Sequence, residues 1–280
     1  MKTVQNLNVL ERDDLERLCP SFYATAPKED VSDKYTFLNT RDISLLLLEN
    51  NWYPVSAREQ RSNKSENRGF TKHIVRWANP EFALNGQRIE IVGTNSHNRS
   101  SAFSLMAGIF RLVCSNGLIA QTGKVGSFKV RHKGDITHQV LEAVNGISST
   151  ATQISHRIND FQTIDMSPDE QGVFAAAAHQ YIYDEPEKAP ISPEALLAPK
   201  RYTDRKDEKG AYGSHALPKP DLWTTFNVVQ ENIMKGGVKG YNREKFRRVT
   251  TRKITSIDKD VKLNKALWTL TEKFAELKSR

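Results

Sequence analysis

The chain has 280 residues, enough to bury one large core or two modest ones, and its 38% hydrophobic and 9% aromatic content excludes an intrinsically disordered class. Forty-one Lys and Arg against 33 Asp and Glu leave a net charge of +8, a balance that favours polyanionic partners such as nucleic acid. The longest apolar run, Ile43 to Leu48, falls far short of the ~20 residues that span a bilayer, so no membrane partner is expected.

In chain order, the opening MKTVQNLNVLERDDLERL has no apolar centre of a secretory signal, since Glu11, Asp13 and Asp14 interrupt it. It holds a short amphipathic piece at Asp13 to Leu18, followed by a connection through Pro20 and Pro27. Thr40 is the expected N-cap of a helix over Asp42 to Asn50, with Ile43, Leu46 and Leu47 as its apolar stripe. Strands are expected near Tyr53 to Arg61, Phe70 to Trp77 and Arg88 to Thr94, joined by loops at Ser62 to Gly69 and Asn79 to Gln87, with antiparallel pairing. In RIEIVGT, Ile89 and Ile91 alternate with Arg88, Glu90 and Val92, as in a strand with one wet face.

NSHNRSSAFSLMAGIFRLVCSNGLIA, Asn95 to Ala120, reads as a buried apolar element between two polar turns. Asn95, Ser96, His97, Asn98 and Arg99 in the first turn are also of the types that contact phosphate or sugar. In GSFKVRHKG, Lys129, Arg131 and Lys133 alternate with Phe128, Val130 and His132, so a strand there points three cations one way. Next, Ile136, Val140, Val144, Ile147, Ala151, Ile154, Ile158 and Phe161 form one stripe of a helix about seven turns long. A second helix is expected over Pro168 to Tyr183, capped by Ser167, and then a long Pro-rich and Lys-rich connection from Pro186 to Pro220. Helical periodicity returns at Asp221 to Met234; KGGVKG, Lys235 to Gly240, reads as a flexible hinge before a basic segment and a terminal helix at Asp258 to Lys278.

The fold class that follows is α+β: an antiparallel sheet crossed by a long helix, a β-β-β-α-like core, with additional C-terminal helices. The expected divisions are an N-terminal extension (1–39), an α+β core domain (40–185), the connection (186–220) and C-terminal helices with a basic tail (221–280).

Charge is unevenly placed. Lys235 to Arg280 carries fourteen Lys and Arg against five Asp and Glu, and Arg58 to Arg76 carries six cations against Glu59 and Glu66. The stretch from Asp160 to Glu194 is acidic. The chain has no phosphate-binding GxxxxGK[ST] loop and no GxGxxG fingerprint, which leaves ATP-driven and nicotinamide chemistry without support. Its seven histidines show no metal-ligand spacing; His97, His132 and His138 are the set that a fold might bring together. Cys19 and Cys114 are too few for a disulfide framework, and Cys114 reads as a core thiol, with nucleophilic catalysis dependent on a base that no motif supplies.

The run SSAFSLMAGIFRLVCSNGLI, preceded by NSH and followed by the long helix and by DLWTTFN at Asp221 to Asn227, resembles the phage- and plasmid-borne proteins catalogued as domain of unknown function 932, over about Thr40 to Leu270. The resemblance implies a gene of prophages, plasmids or integrated islands, and it brings no assigned catalytic residue to carry over; with no secretory signal or membrane span read in the chain, the cytoplasm of a bacterial host cell is the expected location. At fold level alone, strands followed by a basic strand and a long helix are similar to single-strand annealing proteins of the Rad-fifty-two type, which need no ATP.

These observations lead to the expectation of an ATP-independent single-stranded DNA-binding protein of a phage or mobile element, homo-oligomeric, promoting annealing or recombination, without cofactor, metal or catalytic residue. The candidate nucleic-acid-binding residues are Arg58, Arg61, Lys64, Arg68, Lys72, Arg76, Lys129, Arg131, Lys133, Arg247, Arg248, Arg252 and Lys253, with Phe128, Trp77 or Tyr241 as stacking platforms. A second reading is a protein-interaction module that counters or regulates host defence, contacting its partner through the acidic stretch and the Pro-rich lobe. A third is a cysteine-dependent enzyme built on Cys114.

Overall fold

The alternating apolar residues of the first half pair into one antiparallel sheet. The computed structural model describes residues 2–4, 7–29, 37–84, 87–98, 100–101, 103–111, 117–119, 127–129, 136–199 and 220–279. A short hairpin of β1 (Lys2–Val4) and β2 (Leu7–Val9) leads into α1 (Arg12–Leu18), and α2 (Thr40–Glu49) precedes the sheet. Strands β3 (Tyr53–Glu59), β4 (His73–Leu84), β5 (Gln87–Asn95), β6 (Ser104–Arg111) and β7 (Gly117–Ile119) lie side by side in chain order, and β8 (Ser127–Lys129) also pairs with β6. Every one of these neighbours is antiparallel.

On one face of the sheet, Val75, Trp77, Ile91, Leu105 and Ala107 are fully buried. Gly93 makes this possible: a Cβ there would sit 2.5 Å from the Trp77 ring, so only glycine lets the indole lie across β5. The Trp77 ring nitrogen donates to Ser44 Oγ at 2.8 Å, which ties α2 to that face along with buried Ile43 and Leu47. The opposite face is covered too. Val92 and Ala78 are 0% exposed and Glu90 lies wholly inside, so β5 is buried on both sides and is not the half-wet strand its alternation suggests.

The cap of α2 lies one residue earlier than expected. Asn39 accepts from the Arg41 amide at 2.9 Å, and the Thr40 hydroxyl is instead spent on a buried hydrogen bond to His73. The expected long helix is α3 (Ile136–Thr163), and Val140, Val144, Ile147, Ile154, Ile158 and Phe161 of its stripe are buried. The chain divides into two compact units, 1–155 and 156–280, with the division falling inside α3.

In the second unit, α4 (Pro168–Gln180) begins with a capping box in which Ser167 accepts from the Glu170 amide and Glu170 accepts from the Ser167 amide. α5 (Leu222–Lys235), capped by Asp221, is buried along nearly its whole length, and α6 (Ile257–Lys278) packs Leu263, Leu267 and Trp268 inward. The Trp268 ring meets Phe161 edge-on at 5.5 Å, and Gln230 donates to Asn264 at 2.8 Å between α5 and α6. The first part of the Pro-rich connection is anchored by buried Ile191 and Leu196, and Asn232 binds the carbonyls of Leu196 and Ala198. Residues 200–219 of that connection lie outside the described set. Among the described residues no helix is long and apolar enough to cross a membrane.

KGGVKG is a packed turn where the sequence suggests a hinge. Gly236 and Gly237 adopt φ of +63° and +79°, and a Cβ on Gly236 would lie 2.5 Å from the Arg252 backbone. The Gly237 amide donates to Thr251 O at 2.8 Å, and Thr251 and Val238 bond back to each other. These contacts launch a two-stranded ribbon, β9 (Lys239–Asn242) and β10 (Arg247–Thr250).

Candidate nucleic-acid interface

Two basic stretches compete for the role, and they have opposite surroundings. In the first, Arg76 of β4 and Arg88 of β5 both reach the Glu90 carboxylate, at 2.9 and 2.6 Å. Burial pushes the Glu90 acid upward, and the two guanidinium groups pull it back toward its charged form. Arg76 is therefore engaged in neutralising an interior carboxylate. Lys72 is buried, with 8% of its surface exposed. Arg58 is half-buried in β3, while Arg61, Lys64 and Arg68 are exposed on the loop after it. Glu66 in the same loop lies 4.0 Å from the Lys64 ammonium and 3.8 Å from that of Lys28. This stretch is not a continuous basic surface.

The stacking candidates divide similarly. Trp77 is fully buried and its ring nitrogen is engaged with Ser44, so it offers no platform to a base. Lys129 lies in β8 opposite Ser104, whereas Arg131 and Lys133, and with them the alternating pattern, lie outside the described residues, as do Arg99, Cys114 and His132.

The second stretch is the β9–β10 ribbon. Lys239 to Lys253 holds seven cations (Lys239, Arg243, Lys245, Arg247, Arg248, Arg252 and Lys253) and a single carboxylate, Glu244. The register sets Arg248 opposite Tyr241 and Val249 opposite Gly240. Because strand side chains alternate, Lys239, Tyr241 and Arg248 share the outer face, and Gly240, Asn242 and Val249 turn inward, as their lower exposure shows. Arg247, Arg252 and Lys253 are exposed as well. The inner edge docks through Gly240: Tyr241 N donates to Pro190 O at 2.7 Å, and a Cβ on Gly240 would stand 2.0 Å from that oxygen.

At the tip, Asn242 Oδ1 accepts from the Lys245 amide at 2.7 Å, closing the turn. Phe246 then takes φ of +47° and leaves 82% of its surface exposed. A left-handed conformation costs a non-glycine residue about 1–2 kcal/mol, and an exposed ring recovers none of it by packing. Cations flanking two projecting aromatic rings are the composition of a surface that tracks a phosphate backbone and stacks bases. Of the residues on this ribbon, Tyr241, Arg247, Arg248, Arg252 and Lys253 are among the sequence candidates; Lys239 joins them through the alternation in KGYN, and Arg243, Lys245 and Phe246 only through the turn that forms the tip.

The polar turn after β5 serves the interior. Asn95, Ser96 and His97 are all at most 1% exposed, so these three do not face a phosphate. Asn95 donates to Leu38 O and to Thr40 Oγ1, Thr40 donates to His73 Nε2 at 2.8 Å, and His73 Nδ1 donates to Thr71 O at 3.0 Å. His97 Nε2 donates to Ser21 O at 2.9 Å, and its ring lies 5.2 Å from that of His73. Burial lowers both histidines to about 4, so both are neutral near pH 7. The network staples the N-terminal segment to the ends of β4 and β5. Burial raises the Cys19 thiol well above its ordinary value, which suits an inert core group. Among the described residues no three His, Cys, Asp or Glu side chains are grouped to hold a metal ion.

The comparisons with known proteins agree with the motif. The family model described as Domain of unknown function (DUF932) matches residues 28–268. Two Escherichia coli K12 proteins, UPF0380 protein YfjQ and UPF0380 protein YafZ, are each 33% identical over 264 residues, covering 94% of this chain and 90% of the relative. No solved structure matches significantly. A family match that takes in the sheet, the buried Asn95–His97 staple, the long helix and the basic ribbon places this chain in the family of the domain of unknown function 932.

Proposed function

We propose that the chain is an ATP-independent single-stranded DNA-binding protein whose primary contact is the outer face of the β9–β10 ribbon. The observation that carries this reading is the pairing of exposed Tyr241 with Arg248 beside Lys239, ending in the exposed Phe246. Lys and Arg neutralise phosphates and release counterions, while the rings stack on bases without regard to sequence. In a homo-oligomer, successive ribbons present a row of such faces, the arrangement that annealing or recombination of mobile-element DNA requires.

The test is retention of a labelled oligonucleotide by purified protein as salt is raised, with native mass measured in parallel. Binding at low salt that falls steeply with salt, and weakens in Tyr241→Ala and Arg248→Ala, is the expected result. Failure to retain the oligonucleotide even at low salt sinks the reading.

A further inference from the structure

Behind the ribbon lies a cavity of about 270 Å³, bounded by the inner residues Asn242 and Val249 and by the segment that carries Pro190 and Ile191. We propose that this cavity takes a single nucleotide, its base against the apolar floor and its phosphate at Arg252 and Lys259. The inference deepens the DNA-binding reading and rests on it, because the ribbon that would deliver a strand also forms the cavity wall.

Size comes first. Ligand pockets run from about 300 to 1,000 Å³, and a cavity of about 270 Å³, at the small end of that scale, suits a single small ligand better than a dinucleotide. Its floor is apolar, made by Ile182, Ile191, Leu196, Ile233, Val249 and Ile254. Tyr183 adds a flat wall whose position is held: its ring packs 4.7 Å from that of His179, and His179 Nε2 donates to Ile191 O at 2.9 Å. A flat heterocycle suits such a surface.

Charge narrows the class further. Arg252 and Lys259 are exposed at the edge of the cavity, and among the described residues no carboxylate contributes to its lining. An uncharged apolar ligand leaves both cations unused, whereas a phosphate attached to the heterocycle meets them. Asn242 and Thr251 also line the cavity and bring amide and hydroxyl groups of the kind that meet a sugar or a base edge. The gap itself depends on Gly240, which lets the ribbon seat at a fixed distance on Pro190.

Calorimetric titration of the full chain with deoxythymidine monophosphate, and with thymidine as the phosphate-free control, tests the site. The monophosphate is expected to bind about tenfold or more tightly than thymidine, an advantage lost in the double variant Arg252→Ala, Lys259→Ala. No saturable heat from the monophosphate, or equal affinity in the double variant, overturns the cavity assignment, and continued oligonucleotide retention then leaves the ribbon reading intact. Monophosphate binding without oligonucleotide retention upholds the cavity and removes the ribbon. An oligonucleotide with a 5′-phosphate binding more tightly than one with a blocked end identifies a strand terminus as the source; equal binding of the two, with the monophosphate still bound, identifies a free nucleotide.

Discussion

Arg58 to Arg76 and Lys239 to Lys253 look alike in one dimension, each a cation-rich segment with strand-like alternation, yet the first buries Lys72, spends Arg76 on Glu90 and exposes Arg61, Lys64 and Arg68 only on a loop beside Glu66, while the second carries exposed cations along both strands of a ribbon. The first runs into the centre of a sheet buried on both faces, where Arg76 and Arg88 are needed to neutralise Glu90. The second forms a two-stranded ribbon whose inner face alone is covered, so its outer cations and rings stay free of the core. Charge density marks candidate surfaces, and pairing within the fold decides which of them remain surfaces.

The sharpest way to break this contrast is Glu90→Ala, which leaves Arg76 and Arg88 facing each other in the interior. A stability loss of about 3–5 kcal/mol is expected by denaturant titration, with oligonucleotide affinity of the folded fraction unchanged. A large fall in affinity at conditions where the variant stays folded places the first stretch back among the binding surfaces.

Acid should act on the first unit in the same selective way. His73 and His97 have folded-state values near 4, below their ordinary 6.5, so the unfolded chain binds more protons between those limits. Their contribution is complete above pH 6.5 and is lost as pH falls toward 4, by up to about 1.4 kcal/mol per pH unit for each histidine. His73→Gln should flatten that part of the stability profile; an unaltered slope removes the staple as its cause.

Gly240→Ala probes how the ribbon is seated, since the added methyl stands 2.0 Å from Pro190 O. Destabilisation of about 1–3 kcal/mol is expected, with the Tyr241–Pro190 hydrogen bond exchanging its amide proton faster than in the parent. The smallest structural effect belongs to Tyr241→Ala: stability should move by less than about 0.5 kcal/mol, while oligonucleotide affinity falls about tenfold. A variant that loses stability but keeps affinity would reverse the roles assigned to the two stretches.

Much of the architecture is legible without coordinates. The strands, α3, α4, α5 and the terminal helix fall close to their expected positions because apolar period and capping chemistry are local properties: Ser167 with Glu170, and Asp221 with Thr224, are both readable in the chain. Two of the misreadings, both at turns, share one origin. Asn95, Ser96 and His97 have the composition of an exposed turn, and KGGVKG that of a loose linker, because a turn residue looks the same whether water or a protein carbonyl satisfies it.

For this protein the sequence by itself determined the family, the antiparallel α+β class and the excess of charge in the C-terminal region, since motif, periodicity and composition are carried by neighbours along the chain. Tertiary structure decided that Arg76 is spent on Glu90, that Trp77 is core, and that Tyr241, Phe246 and Arg248 are exposed. The reason is physical: whether a polar or aromatic side chain is free to act depends on partners distant in sequence, and only folding brings those partners into reach.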